Sequence, residues 1–278
     1  MDRYAVIGHP IKHSKSPLIH TAFARQTRQD LRYEALLAPL DGFSATVESF
    51  RTTGGRGVNV TAPFKLAACV TATRLTARAE AAGAVNTLTF NGDIIVGDNT
   101  DGVGLVRDLT VNLFCPLAGR RVLLLGAGGA ARGVVLPLLQ GKPTSLTVIN
   151  RTVSRAHELR TSFARHAGQI SFTAGGYDDL DGWDFDIVIN ATSASLENEA
   201  PPLPDGFFAP NAFAYDMMYG AGDTPFLATA RAQGVTRLAD GLGMLVEQAA
   251  ESFALWRGVR PNSAPVLSWL RRKLTSSP

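Results

Sequence analysis

The sequence has few cysteines, few charged residues and no long apolar run. Its two cysteines, Cys69 and Cys115, lie far apart and neither has a CxxC partner, a pattern typical of reduced structural thiols in a cytosolic protein. No apolar stretch reaches about 18 residues, so we predict no membrane-spanning helix. The N-terminal residues enter a strand pattern without a targeting leader, and we therefore expect a cytoplasmic protein.

Charge and motif content exclude several classes of function. Charged residues make up 18% of the chain, the formal net charge is +3, and no Lys/Arg block or basic stripe interleaved with aromatic residues occurs. We therefore predict no nucleic-acid partner. The chain has no HExxH, Cys/His cluster or GxSxG, and residues 98–102 do not follow the acidic pattern of a calcium loop, which argues against a metal site and a serine hydrolase.

A glycine-rich turn follows a short apolar run near the middle of the chain. Residues 122–125 have the length and branching of a buried parallel strand, and helical spacing begins at 130 and continues to 140. A turn between such a strand and helix binds the pyrophosphate of a dinucleotide, because backbone N–H groups and the helix N-terminus face the phosphates. The predicted phosphate-binding residues are Gly126, Ala127, Gly128, Gly129 and Ala130.

The residues after the next predicted strand indicate which dinucleotide is bound. An NAD site usually has Asp or Glu about 20 residues beyond the glycines, where it binds the ribose 2′-hydroxyl. This chain instead has the donors Asn150, Arg151, Thr152 and Arg155. Each charge-assisted hydrogen bond to a 2′-phosphate contributes roughly 1.5–3 kcal/mol, so we predict NADP(H) as the cofactor. The alternative is that Arg151 and Arg155 only form the solvated start of a helix.

The first part of the chain alternates between strand and helix patterns. Strands are predicted at 4–8, 33–38, 57–60 and 84–90, and helical stretches at 42–51, 64–70 and 73–81, which indicates a mainly parallel sheet. Asn91-Gly92 predicts a hairpin to a strand at 94–97, at the edge of that sheet. Ser16 and Pro17 are predicted as the N-cap and the first residue of a helix.

A second alternating series follows the glycine turn. Its strands are predicted at 122–125, 146–150, 170–173, 185–190 and 212–215. A helix beginning near Gly241 places Met244, Gln248 and Ser252 on one stripe, and a last helix is predicted at 264–274. We predict an α/β protein with a substrate-binding domain at 1–101 and 244–278, to which the C-terminal helices return, and a Rossmann-type NADP-binding domain at 102–243.

Polar side chains that could act on a substrate cluster at predicted strand ends. Because strand carboxyl ends face the ligand crevice in open α/β sheets, we expect these segments to converge. Reduction of a ketone places negative charge on oxygen, which the ammonium of Lys65 can stabilise and protonate, with Asp101 orienting it. Taken alone, a residue such as Lys65 is more often a solvated helix residue, and one such as Asp101 is more often a helix cap. Donors and acceptors for a polyhydroxylated ring are offered by Asn59, Thr61, Asn86 and Gln248.

Motifs along nearly the whole chain match one enzyme family. They are Ser14-Lys15-Ser16-Pro17, Asn59-Val60-Thr61, Pro63-Phe64-Lys65, Gly83-Ala84-Val85-Asn86-Thr87, Gly97-Asp98-Asn99-Thr100-Asp101-Gly102, the glycine turn, Asn150-Arg151-Thr152, Asn190-Ala191-Thr192-Ser193 and Asp240-Gly241-Leu242-Gly243-Met244-Leu245. With these motifs the chain closely resembles the shikimate/quinate dehydrogenase family. The resemblance implies an NADP-dependent oxidoreductase acting on a CH–OH group, which reduces 3-dehydroshikimate in aromatic amino acid biosynthesis.

The resemblance also implies roles for individual residues. It makes Lys65 and Asp101 the catalytic pair. Residues that would bind the substrate carboxylate are Ser14, Ser16 and Tyr215, and those on its hydroxyl side are Asn59, Thr61, Asn86, Asp101 and Gln248. Further residues implied on the cofactor side are Thr192, Met217, Gly241 and Met244. Ser195 stands where the family commonly has Gly, so the contacts near 192–196 depart from the family pattern.

Two other functions remain open at this stage. One is a quinate/shikimate dehydrogenase that uses NAD, against which Arg151 and Arg155 argue. The other is a dinucleotide-sensing regulator without turnover, which would need neither Lys65 nor Asp101. The expected partner is a small-molecule substrate, and both a monomer and a homodimer remain open.

Overall fold

The computed structural model of the chain describes residues 1–180, 184–192, 194 and 199–276. It divides into two compact units. Unit 1 comprises Met1–Gly104 and Val246–Ser268, and unit 2 comprises Leu105–Leu245 and Trp269–Pro278. Among the described residues no helix is both long and apolar enough to cross a membrane.

Unit 1 is built on a six-stranded sheet. Its strands are β1 (Asp2–Gly8), β2 (Leu31–Leu37), β3 (Gly55–Val60), β4 (Arg74–Leu75), β5 (Thr87–Asn91) and β6 (Ile94–Asp98). They lie in the order β2-β1-β3-β5-β6-β4. The pairs β1·β2, β1·β3 and β4·β6 are parallel, whereas β3·β5 and β5·β6 are antiparallel. The predicted mainly parallel sheet is confirmed.

The predicted hairpin is present, but it does not form the edge of the sheet. β5 and β6 pair in antiparallel fashion across a turn in which Gly92 has φ +62°. The two-residue strand β4 pairs with the outer side of β6 and so covers it. The predicted helix at 73–81 therefore starts later, as α4 (Ala77–Ala82), where the Thr76 side chain caps the N–H of Ala79.

Three longer helices complete the first part of unit 1. They are α1 (Ser16–Thr27), α2 (Phe43–Thr52) and α3 (Lys65–Thr71). Ser16 was expected as the N-cap of α1, but the cap is Lys15 and Ser16 is the first helical residue. The side chain of Ser14 forms a hydrogen bond with the backbone at this helix start, because its Oγ accepts the N–H of Ser16 at 3.3 Å. The rings of Phe43 and Phe64 stack at 5.0 Å over the buried face of the sheet.

Unit 2 contains a fully parallel six-stranded sheet. Its strands are β7 (Arg121–Leu125), β8 (Ser145–Ile149), β9 (Ser171–Gly175), β10 (Phe185–Asn190), β11 (Phe208–Asp216) and β12 (Arg237–Asp240). They lie in the order β12-β11-β10-β7-β8-β9, and all five pairings are parallel. This is the strand order of a dinucleotide-binding doubly wound sheet, which binds its ligand where the order reverses, between β7 and β10.

Helices connect these strands and end the chain. Asp101–Arg107 forms α5, which runs into a π-helical turn at Asp108–Asn112. The crossover helices of unit 2 are α6 (Gly129–Gln140), α7 (Val153–Ala167) and α8 (Pro225–Ala232), and the chain ends with α9 (Leu242–Arg257) and α10 (Ser263–Thr275). Residues 246–268 belong to unit 1, so the predicted return of the C-terminal helices to the first domain is confirmed over that stretch.

Candidate functional site

The side chains of Lys65 and Asp101 meet in unit 1. Nζ of Lys65 lies 2.5 Å from Oδ2 of Asp101. The turn after β3 leads Lys65 to the first position of α3, where its carbonyl accepts the N–H of Val85 at 2.9 Å. The Lys65 side chain is 23% exposed and that of Asp101 only 9%. A partly accessible ammonium thus rests on a buried counter-ion, which is the arrangement expected of a proton donor.

The loop that carries Asp101 is held from both sides. At its start, Asp98 accepts hydrogen bonds from Nε and Nη2 of Arg78 at 2.6 and 2.8 Å and from the Thr76 hydroxyl at 2.7 Å. At its end, the N–H of Asp101 donates to Oδ1 of Asn99 at 3.1 Å. These contacts fix the backbone from which the carboxylate of Asp101 projects.

Asn59, Asn86 and Gln248 join the same network. Nδ2 of Asn86 donates to Oδ1 of Asp101 at 2.9 Å and lies 3.4 Å from Oε1 of Gln248. Asn59 is 5% exposed, and its amide is hydrogen bonded to Tyr33 and to the hydroxyl of Ser252. The structure therefore brings the predicted amides together with Lys65 and Asp101, while Asn59 is already fully engaged by protein groups.

Thr61, Ser14 and Ser16 lie at the ends of neighbouring elements. The N–H of Thr61 donates to the carbonyl of Ile7 at 2.9 Å, directly after β3. Ser14 and Ser16 lie at the N-terminus of α1, where backbone N–H groups without intrahelical partners favour an anion. Burial raises the pKa of Tyr33 well above its usual range, and a hydrogen bond with Ser16 opposes that shift. Since the Tyr33 hydroxyl also contacts Asn59, it links α1 to the network.

Unit 2 has a groove of about 430 Å³ at the carboxyl ends of β7, β8 and β10. Most of the predicted cofactor residues line it: Gly126, Ala127, Gly128, Gly129, Ala130, Asn150, Arg151, Arg155 and Thr192. Gly126 has φ +106°, and an added Cβ would lie 3.2 Å from the Ala191 backbone. Both the turn and the close approach therefore require glycine at this position.

The glycines at the start of α6 fit a bound pyrophosphate. An added Cβ at Gly128 or Gly129 would meet no protein atom within 4 Å, so it would project into the groove itself. Gly128 is the N-cap of α6 and provides no capping side chain, which leaves the N–H groups of the first turn facing the groove. A dianionic pyrophosphate supplies the acceptors that these N–H groups need.

The predicted 2′-phosphate donors follow β8. Arg151 and Arg155 are exposed at the start of α7 and line the groove. The side chain of Asn150 is hydrogen bonded to the backbone two residues later, with Nδ2 donating to the carbonyl of Thr152 at 2.8 Å. Thr152 is exposed but is not among the residues that line the groove. The arrangement provides two exposed guanidinium groups where an NAD site has a carboxylate, which fits a phosphate better than a free 2′-hydroxyl.

The groove also has lining residues that the sequence patterns did not predict, and Tyr177 and Glu199 are the polar ones among them. Tyr177 follows the end of β9, and burial raises the pKa of its hydroxyl while Arg151 acts in the opposite direction. The signal that could have found Tyr177 is its place just beyond the strand next to β8, at the same sheet edge.

The other predicted cofactor residues lie at the ends of β10, β11 and β12. Oδ1 of Asn190 accepts the Thr192 hydroxyl at 2.7 Å and its N–H at 3.1 Å. An added Cβ at Gly241 would lie 2.1 Å from the carbonyl oxygen of Met217, so these two backbones touch. Met244 is buried near the start of α9. Met217, Gly241 and Met244 are not among the residues that line the groove. Ser193 and Ser195 lie outside the described residues.

Tyr215, predicted to bind the substrate carboxylate, has its hydroxyl engaged within the protein. Its side chain is fully buried on β11, and its hydroxyl donates to Oδ2 of Asp108 at 2.7 Å. Burial and the Asp108 carboxylate raise the pKa of Tyr215 well above its usual range. Tyr219, beyond the carboxyl end of β11, is half-buried, and its hydroxyl forms no hydrogen bond among the described residues.

These features define an NADP-dependent α/β oxidoreductase. Family models described as the shikimate dehydrogenase substrate binding domain, shikimate/quinate 5-dehydrogenase and the shikimate 5′-dehydrogenase C-terminal domain match residues 6–88, 108–197 and 241–268. A shikimate dehydrogenase (NADP(+)) of Aromatoleum aromaticum is 65% identical over 274 residues, which cover 99% of this chain and 98% of the relative. The chain belongs to the shikimate dehydrogenase family.

Solved structures agree with this assignment. An Ael1 enzyme of Pseudomonas putida superposes with a TM-score of 0.91 and 51% identity, covering 100% of this chain and 99% of the other. The shikimate 5-dehydrogenase of Thermus thermophilus, solved in complex with NADP(H) and shikimate, has a TM-score of 0.87 and 34% identity and covers 99% and 100%.

Proposed function

We propose that this protein is a shikimate dehydrogenase that reversibly reduces the C3 carbonyl of 3-dehydroshikimate with NADPH. The contact between Lys65 Nζ and Asp101 Oδ2 carries the proposal, because it sets a cationic proton donor on a buried carboxylate. The 65% identity to a shikimate dehydrogenase (NADP(+)) over nearly the whole chain supports the choice of substrate and cofactor. A cytoplasmic location fits the two free cysteines, Cys69 and Cys115.

Lys65 performs the acid–base part of the reaction. NADPH, when bound, would supply the hydride that the carbonyl carbon accepts. As the carbonyl oxygen gains negative charge, the Lys65 ammonium stabilises it and donates one proton to it, so that hydride and proton together give the alcohol. Asp101 keeps the ammonium in place and accepts a ring hydroxyl of the substrate. In the oxidation of shikimate, Lys65 takes the proton back from that alcohol.

Substrate binding falls to unit 1 and cofactor binding to unit 2. Ser14 and Ser16 donate to the substrate carboxylate at the N-terminus of α1, since an acceptor-only anion needs several donors to offset its desolvation. The ring hydroxyls are bound by Thr61, Asn86 and Gln248. The N–H groups at the N-terminus of α6 would hold the pyrophosphate of the cofactor, and Arg151 with Arg155 would hold its 2′-phosphate.

A direct assay tests this function. Purified protein is mixed with shikimate and NADP⁺, and the absorbance of reduced nicotinamide is followed. We expect turnover with this pair and lower kcat/KM for NAD⁺ and for quinate. Preference for NAD⁺ would favour a quinate/shikimate dehydrogenase of the NAD type, and binding of NADP⁺ without turnover would favour a regulator.

A further inference from the structure

Two buried amides lie behind the Lys65–Asp101 pair. Asn59 is 5% exposed and Asn86 is 3% exposed. Oδ1 of Asn59 accepts the Tyr33 hydroxyl at 2.7 Å, and Nδ2 of Asn59 lies 3.3 Å from the backbone carbonyl of Asn86. Because a carbonyl can only accept, the nitrogen of the Asn59 amide must face it. The orientation of Asn59 is therefore set by a backbone atom.

Thr87 joins the two amides. Its hydroxyl accepts from Nδ2 of Asn59 at 3.0 Å and donates to Oδ1 of Asn86 at 3.0 Å. A hydroxyl has a single hydrogen, so a group that accepts from Asn59 can direct that hydrogen to Asn86. The N–H of Thr100, which can only donate, also lies 2.8 Å from Oδ1 of Asn86. Both neighbours thus hold the oxygen of the Asn86 amide and leave its nitrogen to face Asp101.

This orientation divides the carboxylate of Asp101 between two donors. Oδ1 accepts from Nδ2 of Asn86 at 2.9 Å, and Oδ2 accepts from Nζ of Lys65 at 2.5 Å. A reversed Asn86 amide would set its oxygen against the carboxylate, and two acceptors in contact repel each other.

We propose that Thr87 is a positioning residue: a directional hydrogen-bond relay from Asn59 through Thr87 to Asn86 keeps Oδ2 of Asp101 aimed at Lys65. The inference rests on the proposed function, in which Lys65 carries the proton. Ser252 of α9 supports the relay, because its Oγ lies 3.0 Å from Nδ2 of Asn59 and 2.9 Å from Oγ1 of Thr87. Thr87 and Ser252 are both fully buried, so the relay is shielded from water.

The variants Thr87→Val and Thr87→Ser test the relay. Valine keeps the shape of threonine without the hydroxyl, whereas serine keeps the hydroxyl. Because small misplacements of catalytic groups are costly, we expect Thr87→Val to lower kcat for shikimate oxidation by about 10- to 100-fold. The KM for NADP⁺ should stay within about 2-fold of the wild-type value, since the cofactor contacts are untouched. Thr87→Ser should keep the wild-type kcat.

A second readout needs no substrate. Reductive methylation of Lys65, followed by mass spectrometry, requires Nζ to leave its contact with Asp101 and reach the reagent. We expect faster labelling of Lys65 in Thr87→Val than in wild type or Thr87→Ser. A wild-type protein without shikimate turnover would refute the proposed function but leave this comparison intact.

Thr147→Val is the matched control, because it also removes a buried hydroxyl, one that pairs with Thr173 at 2.9 Å in unit 2. It should leave both kcat and Lys65 labelling unchanged. If Thr87→Val destabilises the protein too far for assay, Ser252→Ala removes the second hydroxyl that Asn59 contacts and is expected to change both readouts in the same direction. Wild-type kcat and labelling in Thr87→Val, or equal losses in Thr87→Ser, would overturn the relay.

Discussion

Lys65 and Asp101 are the first residues of two different helices, and their side chains meet at 2.5 Å between Nζ and Oδ2. Each helix start follows a strand of the same sheet, β3 for Lys65 and β6 for Asp101. The Lys65 ammonium is partly exposed, whereas the Asp101 carboxylate is buried. The N–H groups of Lys65 are therefore accessible from solvent, and the negative charge of Asp101 stays inside the protein.

Replacing Lys65 should remove the acid–base step and little else. A positioned acid or base contributes roughly 10²- to 10⁴-fold in rate, so we expect Lys65→Ala to lower kcat by about that factor. NADPH binding, measured by fluorescence titration, should be nearly unchanged, because Lys65 lies in unit 1 and the groove in unit 2. Lys273→Ala, at an exposed position of α10, is the control. An unchanged kcat in Lys65→Ala would remove Lys65 from the mechanism.

The preference for NADP⁺ should depend on Arg151 and Arg155. Each charge-assisted hydrogen bond to the 2′-phosphate contributes roughly 1.5–3 kcal/mol, so alanine at either position should raise the KM for NADP⁺ by about 10- to 150-fold. The KM for NAD⁺ should change little, since NAD⁺ has no 2′-phosphate. Arg165→Ala, on a later turn of α7, should alter neither value. Equal weakening of NADP⁺ and NAD⁺ would place the two arginines elsewhere on the cofactor.

Elements with strong local signals were predictable from the sequence. Residues 122–125 and 185–190 are apolar enough to define β7 and β10 to within one residue. Lys65 and Asp101 were predicted from their positions after two other strands, β3 and β6. Strand β12 was missed because only two of its four residues are apolar, and its pairing with β11 is a tertiary contact. The two-residue strand β4 was missed for the same reason.

The hydrogen-bond partners of individual side chains could not be predicted from local sequence patterns. Tyr215 donates to Asp108, a residue 107 positions away, and Asn59 donates to Ser252, 193 positions away. No pattern within one segment reveals that such a group is already satisfied. Residue type and strand-end position therefore located the site, whereas only the folded chain separates the residues with free hydrogen-bonding capacity from those that hold others in place.

Tyr215→Phe should affect stability rather than substrate binding. It removes a donor from the buried Asp108 carboxylate, and losing a hydrogen bond to a buried group costs about 1–3 kcal/mol. Urea unfolding should show that loss, and the KM for shikimate should stay at the wild-type value. Tyr219→Phe should leave the free energy of unfolding unchanged, because the Tyr219 hydroxyl has no hydrogen bond among the described residues. A raised KM for shikimate in Tyr215→Phe, at unchanged stability, would restore the role first predicted for it.

His20 should make the protein less stable in mild acid. The ring is buried and stacks on Tyr33 at 4.1 Å, and its Nε2 has no hydrogen-bond partner in the part of the chain that the structure describes. Burial lowers the pKa of His20 to about 3, while an unfolded histidine titrates near about 6.5. Below about pH 6.5 the unfolded chain binds a proton at His20 that the folded chain does not bind. The free energy of unfolding therefore falls as the pH drops from about 6.5 towards 3.

The expected loss from this source is about 2 kcal/mol between pH 6.5 and pH 5, at about 1.4 kcal/mol per pH unit. His20→Phe keeps an aromatic ring against Tyr33 but cannot be protonated, so its stability should fall less over the same interval. His157→Gln removes an exposed histidine and should retain the wild-type pH dependence. Urea unfolding at pH 7 and pH 5 measures the difference. Parallel losses in wild type and His20→Phe would show that other groups control the acid sensitivity.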